Sequence, residues 1–182
     1  MRICDDRYNR DNLRLDTALR FILHEARTHT IRQWTGLSDD RIRKLYHSYL
    51  GAGRRPMRHR GRSPQQAAYF TRTRRLRGET ACLTSLYLML GVVPGAAVAD
   101  PRRLLPGVIR GRLLCHAYDV FQSLAPETHI SFEHAVFLAH ALGRRDELRP
   151  ERCAGCGAVV AADRYQLRAP RCLACDAVPA PG

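Results

Sequence analysis

Two Cys-x-x-Cys pairs near the end of the chain constrain its fold more than any other feature. Cys153 and Cys156 form the first pair, and Cys172 and Cys175 form the second, with fifteen residues between them. This spacing is typical of a structural zinc site with four thiolate ligands. Each pair directs two sulfurs toward one point, and the intervening arm is long enough to close a tetrahedron.

Zn²⁺ is therefore the predicted cofactor of the four cysteines. Two disulfides are disfavoured by a cytosolic redox poise, and a redox-active site needs one pair rather than two. An iron centre bound by the same four ligands is the alternative to zinc. Gly155 and Gly157 fit the turn because glycine adopts positive φ angles. A closed four-thiolate site has no open coordination position, so the metal is predicted to fold this segment rather than to catalyse a reaction.

The length and composition of the chain are typical of a protein with one hydrophobic core and one small additional module. The chain has 182 residues, of which 45% are hydrophobic and 26% charged, as in globular proteins. We predict a mostly α protein with a helical domain at residues 1–148 and a zinc-ribbon-like module at residues 149–182. A helix-turn-helix-like segment is expected at about residues 28–50.

An arginine-rich stretch carries much of the formal net charge of +13. Residues 51–78 contain nine arginines and no acidic residue, which favours a polyanionic partner such as nucleic acid. A role in solubility or in binding an acidic protein is the alternative. The arginines of the loop that we expect to contact phosphates are Arg54, Arg55, Arg58, Arg60 and Arg62.

The residues from Thr80 to Ala99 carry no charge and match the length of a membrane span. Gly91 and Pro94 interrupt this stretch, so a buried helix from Glu79 to Leu90 is the better interpretation. No secretory signal is recognisable at the start, and we expect a cytoplasmic protein without a membrane segment. The cysteines expected to remain reduced thiols outside the metal site are Cys4, Cys82 and Cys115.

Apolar residues at helical spacing predict further helices. The first runs from about Asn12 to Ala26. A short helix at Ile31–Thr35, a turn at Gly36 and a helix capped by Ser38 form the helix-turn-helix-like layout. A plain helical hairpin that serves as core or as a partner surface is the alternative. On the second helix Ile42, Leu45, Tyr46 and Tyr49 are predicted to face inward, which leaves Arg41, Arg43, Lys44 and His47 for DNA.

The later part of the chain has similar local signals. Ser63-Pro64 and Asp100-Pro101 are typical helix starts. A helical pattern around Leu113–Leu124 ends near Pro126, and Ser131 caps a last helix that is expected to stop at Gly143. Residues 144–152 are predicted to be a charged linker into the zinc module.

The order of these parts resembles the FlhC family of bacterial flagellar transcriptional activators. The resemblance rests on the run Arg41-Ile42-x-Lys44-Leu45-Tyr46, the basic loop and the C-terminal cysteine quartet. It implies a hetero-oligomer of four FlhD and two FlhC chains that binds promoter DNA of flagellar operons and recruits RNA polymerase. It also implies that the four cysteines hold zinc. The chain ends seven residues after Cys175, whereas FlhC proteins commonly have a basic tail.

We therefore expect a DNA-binding activator subunit that acts with an FlhD-like partner. The alternative from another class is a zinc-ribbon RNA-binding structural protein of ribosomal type. An enzyme is not expected, because no part of the sequence groups a nucleophile, a base and an open metal position.

Overall fold

The computed structural model describes residues 2–49, 64–95 and 104–177. Within these ranges the chain forms seven α-helices, one short 3₁₀ helix and a two-stranded sheet. The elements are α1 (Arg2–Leu23), α2 (Thr28–Thr35), α3 (Asp39–Tyr49), the 3₁₀ helix (Ala67–Phe70), α4 (Arg74–Met89), α5 (Val108–Leu124), α6 (Phe132–Arg144), β1 (Leu148–Arg152), β2 (Val159–Asp163) and α7 (Leu173–Asp176). The mostly helical class is thus confirmed.

The chain divides into two compact units. Unit 1 comprises Met1–Ser63 and Leu105–Cys115, and unit 2 comprises Pro64–Leu104 and His116–Gly182. The predicted domain boundary at residue 148 falls inside unit 2. Strand β2 packs against α4 and β1 packs against α6, which explains why the cysteine segment belongs to the same compact unit as these helices.

Helix α1 supplies the apolar stripe of unit 1. Ala18, Phe21 and Ile22 are completely buried, as the i, i+3, i+4 spacing predicts. The helix begins ten residues earlier than the predicted Asn12. Residues 7–10 are exposed, so no apolar pattern marks this extension. It ends at Leu23 rather than Ala26, because Glu25 takes a left-handed conformation with φ 61°.

Helices α2 and α3 are joined by a short turn that begins with the predicted glycine. Gly36 has φ 70°, and its N–H donates to the carbonyl of Arg32 at 2.8 Å. Leu37 is 2% exposed beneath the turn. The hydroxyl of Ser38 accepts from the N–H of Arg41 at 3.4 Å, which caps α3 as predicted.

The first half of α5 completes the core of unit 1. A Cβ atom at Gly111 would lie 3.3 Å from side-chain atoms of Thr17, Phe21 and Trp34. This distance is tighter than most van der Waals contacts, so glycine lets the backbone of α5 approach these side chains. The side chain of Arg112 lies 3.9 Å from the carboxylate of Asp16 at the edge of this contact.

Helix α4 is the central helix of unit 2. It begins at Arg74 rather than the predicted Glu79, because the hydroxyl of Thr73 accepts from the N–H of Leu76 and caps an arginine-rich first turn. The phenol of Tyr87, which is completely buried, donates to the carbonyl of Ala135 on α6 at 2.7 Å. In the described ranges no helix has both the length and the apolar character that a membrane span requires.

Helix α6 begins where the sequence predicts and ends slightly later. The hydroxyl of Ser131 accepts from the N–H of His134 and caps the helix. The helix continues through Gly143 and ends at Arg144, since Arg145 takes a left-handed conformation with φ 58°. Gly143 is buried within the last turn.

A β-hairpin replaces most of the predicted charged linker. Strands β1 and β2 pair antiparallel, with Leu148 opposite Asp163 and Arg152 opposite Val159. Leu148 is 1% exposed, but it is the only apolar residue of β1. One apolar residue gives no alternating pattern from which a strand can be recognised.

Candidate metal centre and basic surfaces

The hairpin places the first cysteine pair. Cys153 follows β1 directly, and its N–H donates to the carbonyl of Ala158 at 2.8 Å. The N–H of Gly157 returns to the carbonyl of Cys153 at 2.9 Å and closes the turn that carries Cys156. Gly157 has φ 74°, as the sequence predicts for this turn.

Helix α7 places the second pair. Cys172 is the residue that precedes the helix, and Cys175 lies within it. The N–H of Asp176 donates to the carbonyl of Cys172 at 2.9 Å. The N–H of Cys172 in turn donates to the sulfur of Cys153 at 3.2 Å. This hydrogen bond connects the two pairs directly.

The four sulfurs come together in one cluster. All of them lie within 4.8 Å of one another, and the sulfurs of Cys156 and Cys172 are 3.5 Å apart. A tetrahedral zinc ion with Zn–S bonds of about 2.3 Å separates its sulfurs by about 3.8 Å. The cluster therefore has nearly the dimensions of a four-thiolate site and could bind a metal ion.

The backbone around Cys153 favours the thiolate form that a metal requires. N–H donors of Cys172, Cys156 and Gly155 lower the pKa of the Cys153 thiol to about 6. The pKa of Cys172 is also lowered, first by the N–H of Cys175. The thiol of Cys175 donates to the neighbouring cysteine sulfurs, first that of Cys156, and these hydrogen bonds raise its pKa to about 12. The thiolate is the form that ligates metal, so the backbone N–H donors favour the metal-binding form of Cys153 and Cys172.

Gly155 has a different role from the predicted one. Its φ is not positive, unlike that of Gly157. A Cβ atom at Gly155 would lie 2.9 Å from the sulfur and 3.2 Å from the Cβ of Cys175. The glycine is therefore needed for the close approach of the two cysteine turns, which a tetrahedral ligand set demands.

Gly155→Ala is accordingly expected to weaken metal binding by roughly tenfold or more, as disturbances next to ligands do. The added methyl group pushes the sulfur of Cys175 away from the other three. A competition titration against a chromophoric chelator measures the change. Gly95→Ala is the matched control, because a methyl group there meets no atom within 4 Å. Equal affinities of the two variants would contradict this role of Gly155.

The cysteine cluster is docked on α4 by contacts that the sequence did not reveal. The guanidinium of Arg77 lies 3.1 Å from the carboxylate of Asp176 and donates to the carbonyl of Arg171 at 3.4 Å. A Cβ atom at Gly78 would lie 2.8 Å from the side chain of Leu173. The arginines of α4 are visible in the sequence. No local pattern predicts that they contact residues 171–176, which lie almost a hundred positions further along the chain.

The outer face of α3 carries the residues predicted for DNA. Arg41, Arg43, Lys44 and His47 are all exposed. Two of them take part in ion pairs, Arg43 with Asp40 at 3.1 Å and Arg41 with Asp11 at 4.0 Å. The side chains of Lys44 and His47 make no hydrogen bond or ion pair with any residue that the structure describes.

The inner face of α3 is narrower than predicted. Ile42 and Leu45 are buried, and Tyr46 is half-buried. Tyr49 was predicted to face inward but is 66% exposed, because it lies in the last turn of the helix, beyond the packing against α1 and α2. The predicted phosphate ligands that lie outside the described residues are Arg54, Arg55, Arg58, Arg60 and Arg62.

The chain was compared with models of known protein families and with curated protein sequences. Neither comparison gave a match.

Proposed function

We propose that this chain is a DNA-binding subunit of a transcriptional activator. In this proposal it acts in the cytoplasm with an FlhD-like partner, binds promoter DNA of flagellar operons and recruits RNA polymerase. It holds Zn²⁺ through Cys153, Cys156, Cys172 and Cys175, and it catalyses no reaction. The resemblance to the FlhC family motivates the choice of partner and promoter.

The observation that carries the proposal is the exposed basic face of α3. Helix α2, the turn at Gly36 and the capped start of α3 bury Ile42 and Leu45 and leave four basic residues in solvent. In helix-turn-helix proteins the second helix lies in the major groove in this way.

Charge along α3 indicates which part would approach DNA. Asp39 and Asp40 occupy its first turn and would repel phosphates there. Asp40 also offsets the charge of Arg43. Lys44 and His47 lie further along the helix without such partners among the described residues. We therefore place the phosphate and base contacts on the middle and second half of α3.

Zinc is the metal that this ligand set favours. Four thiolates in a closed tetrahedral arrangement select zinc or iron over calcium and magnesium, which prefer oxygen ligands. Elemental analysis of the purified protein is expected to give one zinc per chain. A coloured protein that contains iron instead would contradict the zinc assignment and leave the ligand set unchanged.

Lys44→Gln tests the role of α3. Binding of the chain, alone and mixed with a candidate FlhD, is measured against flagellar promoter DNA, scrambled DNA and structured RNA at several salt concentrations. If Lys44 contacts phosphate, the variant loses affinity evenly for all DNA sequences, and its salt slope falls by about one. Arg7→Gln is the matched control, since Arg7 is exposed on α1 and its removal changes the net charge equally.

The same assay separates the candidate functions. A mixture that prefers promoter DNA supports the activator. A chain that binds all three nucleic acids equally, with or without the partner, contradicts promoter recognition and favours the RNA-binding structural protein. Equal losses in Lys44→Gln and Arg7→Gln would remove α3 as the contact surface.

A further inference from the structure

A groove in unit 2 lies between α4, β2 and the cysteine cluster. Its volume is about 520 Å³, which is within the range of small-ligand sites. The ionisable residues that line it are three arginines, two aspartates, Tyr165 and Cys172. The residues of this groove that matter below are Arg77, Asp163, Tyr165, Arg168, Arg171 and Asp176.

Some charged groups of the groove have a hydrogen-bond or ion-pair partner among the described residues, and others do not. Asp176 is paired with Arg77 at 3.1 Å. The carboxylate of Asp163 accepts from the N–H of Tyr165 at 2.8 Å. Arg168 is exposed and makes no hydrogen bond or ion pair with any described residue. The groove thus presents one guanidinium with all of its donors available to a ligand.

We propose that this groove binds a phosphodiester group of the nucleic-acid backbone, with Arg168 as the principal donor. The proposal rests on the proposed function, since it assigns a second phosphate contact to the same DNA-binding chain. A guanidinium donates two parallel hydrogen bonds to phosphate oxygens, and this geometry is the strongest that an arginine makes. Neither Arg168 nor this surface was predicted from the sequence.

Apolar surface beside the groove favours a nucleotide chain over a free anion as the ligand. Tyr165 is 75% exposed and Leu167 is fully exposed. Exposed aromatic side chains next to arginines are typical of surfaces on which sugars and bases pack. An inorganic anion would leave both side chains in water, whereas a nucleotide chain would cover them.

The cysteine cluster forms one wall of the groove and influences its charge. Four thiolates with one divalent ion carry a net charge of −2. Arg171 donates to the carbonyl of Cys175 at 3.5 Å and so places a positive charge next to this wall. Arg171 therefore offsets one of these two negative charges, and Arg168 remains the group that is available to phosphate.

Arg168→Gln tests the groove in the zinc-loaded chain mixed with its candidate FlhD partner. We expect a three- to tenfold weaker affinity for promoter DNA and a salt slope lower by about one. Arg164→Gln is the matched control: it removes the same charge from the same end of the hairpin, and Arg164 is exposed and does not line the groove. Its affinity for DNA is expected to stay within roughly twofold of the unmodified chain.

A second arm identifies the ligand. A short single-stranded oligonucleotide and inorganic phosphate compete separately with the promoter DNA in the unmodified chain and in Arg168→Gln. The oligonucleotide is expected to compete less well in the variant, and phosphate is expected to compete weakly in both. If phosphate competes as well as the oligonucleotide and depends equally on Arg168, the groove is a free-anion site and the proposal is overturned.

The remaining outcomes separate the groove from the function. Equal effects of Arg164→Gln and Arg168→Gln, with promoter preference intact, overturn the groove and leave the activator standing. Loss of promoter preference in the unmodified complex overturns the activator. A specific loss of oligonucleotide binding in Arg168→Gln still supports the groove in that case.

Discussion

Cys153→Ser is expected to unfold the cysteine segment of unit 2. A structural zinc ion contributes roughly 10–16 kcal/mol to the folding of a small module, and the variant lacks one of four ligands. Few apolar groups remain to hold the segment: Val160 and Ala162 are buried, but Tyr165 and Leu167 are exposed. Hydrogen exchange should therefore lose its protection at residues 153–177, while residues 15–45 of unit 1 keep theirs.

Cys82→Ser provides the control for this experiment. Cys82 is half-buried on α4 and lies outside the cluster, so the variant should keep one metal ion per chain and normal protection. If Cys153→Ser retained the metal and the protection of residues 153–177, the cluster would not be what folds this segment.

Trp34→Ala is expected to destabilise unit 1 by about 3–5 kcal/mol. Trp34 is 1% exposed, its ring centroid lies 5.9 Å from that of Phe21, and the guanidinium of Arg110 lies 5.5 Å from it. Its removal leaves a cavity between α1, α2 and the first half of α5. Urea unfolding followed by circular dichroism measures the loss.

Trp34→Phe is the matched comparison, because it keeps an aromatic ring beside Phe21 and should lose clearly less stability. Trp34 is the only tryptophan of the chain, so its fluorescence reports on unit 1 in the unmodified protein. A loss below about 1 kcal/mol in Trp34→Ala, typical of surface positions, would contradict its place in the core.

Local signals in the sequence predicted the parts of the fold that depend on neighbouring residues. Ser38 and Ser131 were recognised as caps, and Gly36 was placed at the turn between α2 and α3. The spacing of the cysteines was enough to assemble four ligands, because two short turns and one arm determine that arrangement. Each of these features is encoded within a few residues.

Features that depend on residues distant along the chain could not be predicted from the sequence. Strand β1 has a single apolar residue and is a strand because β2 pairs with it. The early start of α4 depends on Thr73, which was read as part of an arginine-rich stretch. The contact between Arg77 and Asp176 joins residues 99 positions apart, and no local pattern reveals such a pair.

Gly155 was correctly predicted to matter for the cysteine turn, but the physical explanation given for it was wrong. The sequence marked it as a glycine in a tight turn, for which positive φ is the usual explanation. The structure explains it instead by the absence of a side chain against Cys175. Only the positions of the second pair of cysteines reveal this requirement.

The divided composition of unit 1 has a consequence for the growing chain on the ribosome. Its first segment ends at Ser63, but Gly111 and its neighbours arrive only with the second segment, which ends at Cys115. At translation rates of ~5–20 residues per second, this delay is roughly 3–10 s. During that interval Phe21 and Trp34 lack the contact with α5 at Gly111, so we expect the nascent chain to expose part of this aromatic surface to chaperones.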